Sequence, residues 1–181
     1  AQVACADINL AGAQETADLI SAAGGEAIAV KTDVTDKASA DALVGQTISR
    51  FGQLDILVNN AAIYAGLERM PFWEIDEDVW DRVLAVNVKG MWQMSKAVVP
   101  QMFERGGKII NIASATFYSG SPGWLHYVAS KGATIGMTRS MARELGDFNV
   151  TVNAIAPGFT LSEASRNMMD DAASYGINRG A

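Results

Sequence analysis

A doubly wound α/β fold built on a parallel sheet is predicted by three observations. Apolar runs with strand character alternate with helix-period segments almost from end to end, which implies parallel pairing through right-handed crossovers. The run at 54–58 (LDILV) is short, largely apolar and bounded by polar residues, as expected of a strand buried on both faces. The chain has 181 residues, 49% hydrophobic and 19% charged, which suits one domain over 1–181 with a sizeable core. No internal repeat, low-complexity tract or linker divides it.

Residues 2–8 (QVACADI) read as the first strand, and 13–23 as a helix closed by Gly24-Gly25. A second strand is expected over 27–31. A helix over 36–51 follows, capped by Thr35 or Asp36 and stopped by Gly52. After the strand at 54–58, a long helix runs from 76 to 104, opened by acidic residues at its positive end. It carries Asn87, Gly90 and Pro100, so a local irregularity is expected within it. Its large apolar residues Trp80, Met91, Trp92 and Met94 exceed what one sheet face needs; the stripe is expected to be core packing, the alternative being that part of it meets another subunit. A strand over 108–113, a helix over 125–145 and a strand over 150–156 complete the pattern.

Fourteen Lys plus Arg against 20 Asp plus Glu give a net charge of −6, which argues against a nucleic-acid partner. No apolar run reaches the ~20 residues of a membrane-spanning helix. Cys5, the single cysteine, excludes an internal disulfide and fits a reducing, cytoplasmic setting; inside a strand it reads as inert packing. No Cys, His and carboxylate group has metal-ligand spacing, so no metal is expected.

In an open parallel sheet, ligands bind beyond the carboxyl ends of the strands. Those ends carry Asp7, Asp33-Val34, Asn59-Asn60-Ala61-Ala62, Ser114 and Pro157-Gly158. Five polar or backbone-exposing strand ends together suggest a lined crevice. A carboxylate at Asp7 would accept hydrogen bonds from adenosine ribose hydroxyls and repel a 2'-phosphate, which favours NAD over NADP. The glycine-rich partner of such a carboxylate is expected about 20 residues upstream, and only six residues precede Asp7. The sequence therefore reads as the incomplete record of a longer protein.

The strongest chemical signal is Tyr127-x-x-x-Lys131 on one face of a helix. A phenol titrates near pKa ~10, and a neighbouring ammonium is expected to favour the phenolate. Ser114, at the end of the preceding strand, can polarise a carbonyl oxygen that the phenol protonates. Asn87 adds a polar group at the irregular point of the long helix, where a freed backbone carbonyl could hold water.

The residues NNAA at 59–62, Asn87, IINIAS ending at Ser114, YVASK at 127–131 and NAIAPG at 153–158 strongly resemble the short-chain dehydrogenases/reductases, in their order and spacing. The resemblance covers essentially the whole chain. It implies a Rossmann-like sheet and a tetrad of Asn87, Ser114, Tyr127 and Lys131. Tyr127 would donate or accept the proton, and Ser114 would orient the substrate oxygen. Lys131 would lower the phenol's pKa and bind the nicotinamide ribose, while Asn87 supports a water relay. The cofactor positions it implies are Asp7, Asp33, Val34, Asn60, Ala61, Tyr127, Lys131, Pro157 and Thr160, for NAD in preference to NADP, in a homotetramer.

Departures from the family pattern are the absent first strand and TGxxxGxG loop, the absent segment after Ala181, Ala62 in place of Gly, and Thr160 where a branched aliphatic is usual. Ser162 keeps a hydroxyl where the family often has Thr. Three loops, 61–72, 116–125 and 159–175, are expected to set substrate preference. They carry Ile63, Tyr64, Phe117, Tyr118, Trp124, Leu125, Phe159, Met168 and Met169, either a lining suited to a flat or cyclic apolar substrate or aromatics buried under a lid with no bearing on it. His126 is expected to line the substrate side or an interface, and Glu163, Asp170 and Asp171 to be solvated. The reading is thus an NAD-dependent alcohol dehydrogenase. Its alternatives are an NADPH-dependent carbonyl reductase, or a non-catalytic dinucleotide sensor on the same fold.

Overall fold

The computed structural model describes residues 1–158 and 160. Five strands and six helices follow in the order β1 (Gln2–Asp7), α1 (Leu10–Ala22), β2 (Glu26–Lys31), α2 (Lys37–Phe51), β3 (Ile56–Asn59), α3 (Glu77–Leu84), α4 (Met91–Met102), β4 (Gly107–Ile112), α5 (Thr116–Ser119), α6 (Leu125–Leu145) and β5 (Val150–Ile155). Every strand pairing is parallel: β1 with β2, β3 with β4, and β4 with β5. The alternation of strand and helix thus gives the parallel α/β architecture expected of it.

Local chemistry sets the element ends. Asn9 caps α1 by accepting from the Gly12 amide, so this helix begins earlier than its apolar period suggests. Asp36 caps α2 through the Ser39 amide at 2.8 Å, and Gly52, at φ 81°, ends it in the left-handed conformation that a glycine adopts at low cost. The long helix expected over 76–104 is continuous in direction but divided. Residues Ala85–Gly90 form a π turn between α3 and α4, and Asn87 lies within it. Pro100 is accommodated inside α4.

Two parallel sheets result, one of β1 and β2 and one of β3, β4 and β5. Helices α2 and α4 bridge them. Ala40 and Leu43 of α2 and Met94 of α4 pack with Val30, with Ala4 of β1 and Leu57 of β3 at the margin. The larger core joins Val44, Val98, Met102, Ile109, Leu145, Val150 and Val152. Between the sheets lies a cavity of about 520 Å³, lined along β1 by Gln2–Asp7 residues and along β3 by Ile56, Leu57, Val58 and Asn59. Among the described residues no strand pairs with the facing edges of β1 and β3. This corrects the expectation for the 54–58 run. Ile56 and Val58 are 55% and 52% exposed, and with Leu57 and Asn59 they line the cavity.

The apolar stripe of the long helix also divides. Met91 and Met94 are core residues, whereas Trp92 turns outward with the Lys96 ammonium 5.0 Å from its ring centroid. No helix among the described residues is long and apolar enough to cross a membrane.

Candidate active site

The tetrad residues come from three places that folding brings together. Ser114 follows β4, Tyr127 and Lys131 share one face of α6, and Asn87 sits in the π turn; all four are buried. The Ser114 oxygen accepts from the Thr116 amide at 3.2 Å and from the Thr116 hydroxyl at 2.9 Å, so its own proton is directed elsewhere. It meets the Tyr127 hydroxyl. The Lys131 ammonium donates to the Ile112 carbonyl at 2.7 Å and stands 5.5 Å from the centre of the Tyr127 ring.

Burial dominates the electrostatics of the pair. Burial pushes the Tyr127 phenol above its ordinary value; the Ser114 hydrogen bond pulls it back, and the nearby Tyr64 pushes it further up. Burial lowers Lys131 to about 8. Burial is thus the largest influence on both groups. One of the three Lys131 N–H donors is directed at a main-chain carbonyl, and both groups carry the cost of leaving water.

Asn87 is a clamp. Its Oδ1 accepts from the Ile63 amide at 2.7 Å, and its Nδ2 donates to the Ile63 carbonyl and to the Ser130 hydroxyl, both at 3.1 Å. Ser130 in turn donates to the Tyr127 carbonyl at 2.7 Å. Both amide protons are engaged, so a water held at this position would have to meet the main chain. The loop that carries Ile63 is thereby fixed against the π turn, which places the Tyr64 ring 5.0 Å from that of Tyr127.

A second polar set went unassigned in the sequence. Asn59 donates to Asn111 at 2.9 Å and to Ser95 at 3.1 Å, and Asn111 donates to Thr138 at 2.9 Å. These bonds join β3, β4, α4 and α6 beneath the site. The sequence signal was present: two asparagines at equivalent points of neighbouring apolar strands, each too polar for its surroundings unless paired.

The expected cofactor residues separate into two groups. Asp7, Val34, Asn60 and Ala61 line the same cavity at the carboxyl ends of the strands. Asp7 is exposed, with one carboxylate oxygen accepting from the Asn9 amide at 2.8 Å and the other uncommitted. Asp33 is not among the residues that line the cavity. Its carboxylate accepts from the Thr35 amide and hydroxyl, which hold its pKa below the usual carboxylate range. Tyr127, Lys131 and Pro157 lie on the other side, where the Pro157 carbonyl accepts from the Ala115 amide at 2.9 Å. Thr160 donates to the Gly158 carbonyl at 3.4 Å.

Gly90 links the π turn to the cavity. A Cβ there would lie 2.6 Å from Cγ2 and 3.1 Å from Cβ of Val34. Gly90→Ala should destabilise the fold by about 1–3 kcal/mol through this overpacking. Urea unfolding reads the effect, and an unchanged midpoint would contradict the contact.

Of the expected substrate-lining residues, Trp124 does not line anything open. It is 5% exposed, its indole N–H donates to the Leu67 carbonyl at 3.3 Å, and it belongs to a cluster with Leu67, Val83 and Tyr127. His126 is likewise buried, at 1% exposure, with Nδ1 unpartnered and burial lowering its pKa. It is an interior residue and not a substrate-facing one. Phe117, Tyr118 and Leu125 are all exposed, Phe117 with one ring edge against Gly132. Phe159, Ser162, Glu163, Met168, Met169, Asp170 and Asp171 lie outside the described residues. Among the described residues no group of His, Cys, Asp and Glu could hold a metal ion.

Comparison with known proteins shows the family. The family model described as short chain dehydrogenase matches residues 1–173. The chain is 38% identical, over 169 residues, to a 3-oxoacyl-[acyl-carrier-protein] reductase FabG of Staphylococcus aureus, covering 91% of this chain and 68% of that protein. Among solved structures it resembles an NAD+-bound xylitol dehydrogenase, with a TM-score of 0.91 and 30% identity over 98% of this chain and 68% of that one. It also resembles a 3-ketoacyl-(acyl-carrier-protein) reductase of Brucella melitensis complexed with NADH. That match has a TM-score of 0.80 and 32% identity over 86% of this chain and 64% of the other. The chain thus spans about two thirds of the length of these relatives.

Proposed function

The chain belongs to the short-chain dehydrogenase family, and from that premise we propose that it is the catalytic part of an NAD-dependent oxidoreductase acting on a ring-bearing secondary alcohol or ketone. The observation that carries the reading is the buried meeting of the Tyr127 hydroxyl with Ser114, one helical turn from Lys131. A sensor needs no such proton donor. NAD, when bound, supplies the acceptor or donor of hydride.

The chain's own residues would do the rest. Ser114, whose oxygen is already satisfied by Thr116, turns its proton to the substrate oxygen. Tyr127 takes the hydroxyl proton in the oxidative direction and returns it in the reductive one. Lys131 holds positive charge near the phenol and reaches the nicotinamide ribose. Asn87 keeps the π turn and the Ile63 loop in register, with its main chain as the contact for a relay water.

The residues fit NAD. The uncommitted oxygen of Asp7 suits a ribose diol at the cavity rim, while its charge opposes a 2'-phosphate. The two matched structures that hold NAD+ and NADH support the same choice. Reduction is favoured as a second reading by the two matched acyl-carrier-protein reductases. A homotetramer completes the proposal, supported by Trp92, Phe103 and Phe148, each more than two-fifths exposed, and a cytoplasmic setting is proposed with it.

The test follows the NADH absorbance band with NAD and a panel of aryl, cyclohexyl, sugar and steroid secondary alcohols. NADH formation with a ring-bearing subset is expected, with NAD saturating at least about tenfold below NADP, a difference of ~1.4 kcal/mol. Equal use of the two dinucleotides would overturn the role given to Asp7. Silence with every alcohol and ketone, while NADH still binds, would favour the sensor.

A further inference from the structure

Arg69 stands apart from the other described arginines. Arg50, Arg82, Arg105, Arg139 and Arg143 are exposed, whereas Arg69 is half-buried. Its guanidinium lies 3.9 Å from the centre of the Trp124 ring, and its Nε is sealed from solvent with no acceptor. Neither ion pair of the described residues includes it.

The loop is built to hold it there. The Met70 amide donates to the Gly123 carbonyl at 3.1 Å. Gly123 has a φ of 84°, and a Cβ added to it would come within 3.2 Å of the Arg69 Cβ. The absence of a side chain at Gly123 is what lets the arginine settle on the indole.

This stack continues into the site. Trp124 meets Tyr64 edge-on at 5.7 Å, and Tyr64 meets Tyr127 at 5.0 Å. A guanidinium held over an aromatic face gives up solvent on that side and keeps its planar set of donors, which suits a carboxylate. The half-buried surroundings strengthen a charge pair formed there relative to one in water.

We propose that Arg69 is the anion-binding end of the substrate cleft, receiving through its terminal nitrogens the carboxylate of a ring-bearing hydroxy or oxo acid. The ring would lie along Tyr64, with the reacting carbon at Tyr127. This deepens the oxidoreductase reading and rests on its placing of the reaction at Tyr127. The charge itself can be tested without turnover.

The experiment is calorimetric titration of benzoate and benzamide into the whole chain with NADH present. Benzoate should bind at least about tenfold more tightly than benzamide, the size of one charge-assisted hydrogen-bonding pair. Arg69→Gln should remove that difference and leave benzamide unchanged. Arg69→Met, which keeps an apolar stem over the indole, should do the same and serves if the glutamine variant does not fold. Equal binding of the two probes by the unaltered protein, absence of benzoate binding, or discrimination that survives in a folded variant would each overturn the subsite. Discrimination through Arg69 without any NADH formation from alcohols would sink the reaction and leave the subsite. NADH formation from neutral ring alcohols without discrimination would do the reverse.

Discussion

Replacing Tyr127 with phenylalanine is expected to lower turnover by about 10²- to 10⁴-fold, the usual worth of a positioned acid–base group, with NADH binding within about twofold of the unaltered protein. The substitution is clean because the ring stays where it is. Leu67, Val83 and Trp124 pack around it, and Tyr64 leans on one side. Only the hydroxyl is lost, and the Ser114 oxygen it meets keeps both of its contacts to Thr116. The stability change should therefore stay near 1 kcal/mol. Paired measurements of NADH formation and thermal melting read the two quantities. A phenylalanine variant that still turns over would remove Tyr127 from the chemistry.

Lys131 should show the opposite coupling of activity and stability. Its folded-state value of about 8 lies below the ordinary 10.5 because burial disfavours the ammonium. Below pH 8 the lysine is protonated both folded and unfolded, and the cost of burying the charge is present in full. Between about 8 and 10.5 the unfolded chain retains a proton that the folded chain has released, so this group makes stability rise with pH across that window. The displacement corresponds to about 3 kcal/mol against the folded state at neutral pH. Loss of the hydrogen bond to the Ile112 carbonyl offsets about 1 kcal/mol of this when the lysine is removed. Lys131→Met should thus be about 2 kcal/mol more stable at pH 7 and lose that advantage by about pH 10.5, while turnover falls by at least about tenfold. Urea unfolding at several pH values, beside the NADH assay, tests both halves. A variant no more stable than the parent at pH 7 would show that the ammonium is not strained by its burial.

Much of this site was legible because its residues sit where the sequence punctuates its own pattern. Ser114 ends an apolar run, Tyr127 and Lys131 are spaced for one helix face, and Asn87 and Gly90 interrupt a long helix. What the sequence could not convey is direction and company. Trp124 was read as lining, or else as buried, because it sits in an aromatic loop, and His126 as lining or interfacial because it adjoins Tyr127; both rings turn into the interior. Nothing local reveals that the Asn87 side chain would grip a loop 24 residues away. The strand at 54–58 was expected to be covered on both faces, and two of its apolar side chains face a cavity. Apolarity reports what a residue would prefer to meet, and the topology decides what it does meet.

The π turn has a consequence for how one helical rod serves two cores. Val83 and Met94 are separated by about three turns of an ideal helix, so without interruption they would point the same way. Instead Val83 packs with Trp124 and Tyr127, while Met94 packs with Val30 and Leu43. The widened turn at Ala85–Gly90 acts as a phase shift, rotating the downstream half by about 100° relative to the upstream half. Deleting a single residue there would restore the ordinary winding and swing Met94, Val98 and Met102 off the sheet together. Asn87 thus lies on the stretch whose extra width keeps both halves of the rod facing their own cores.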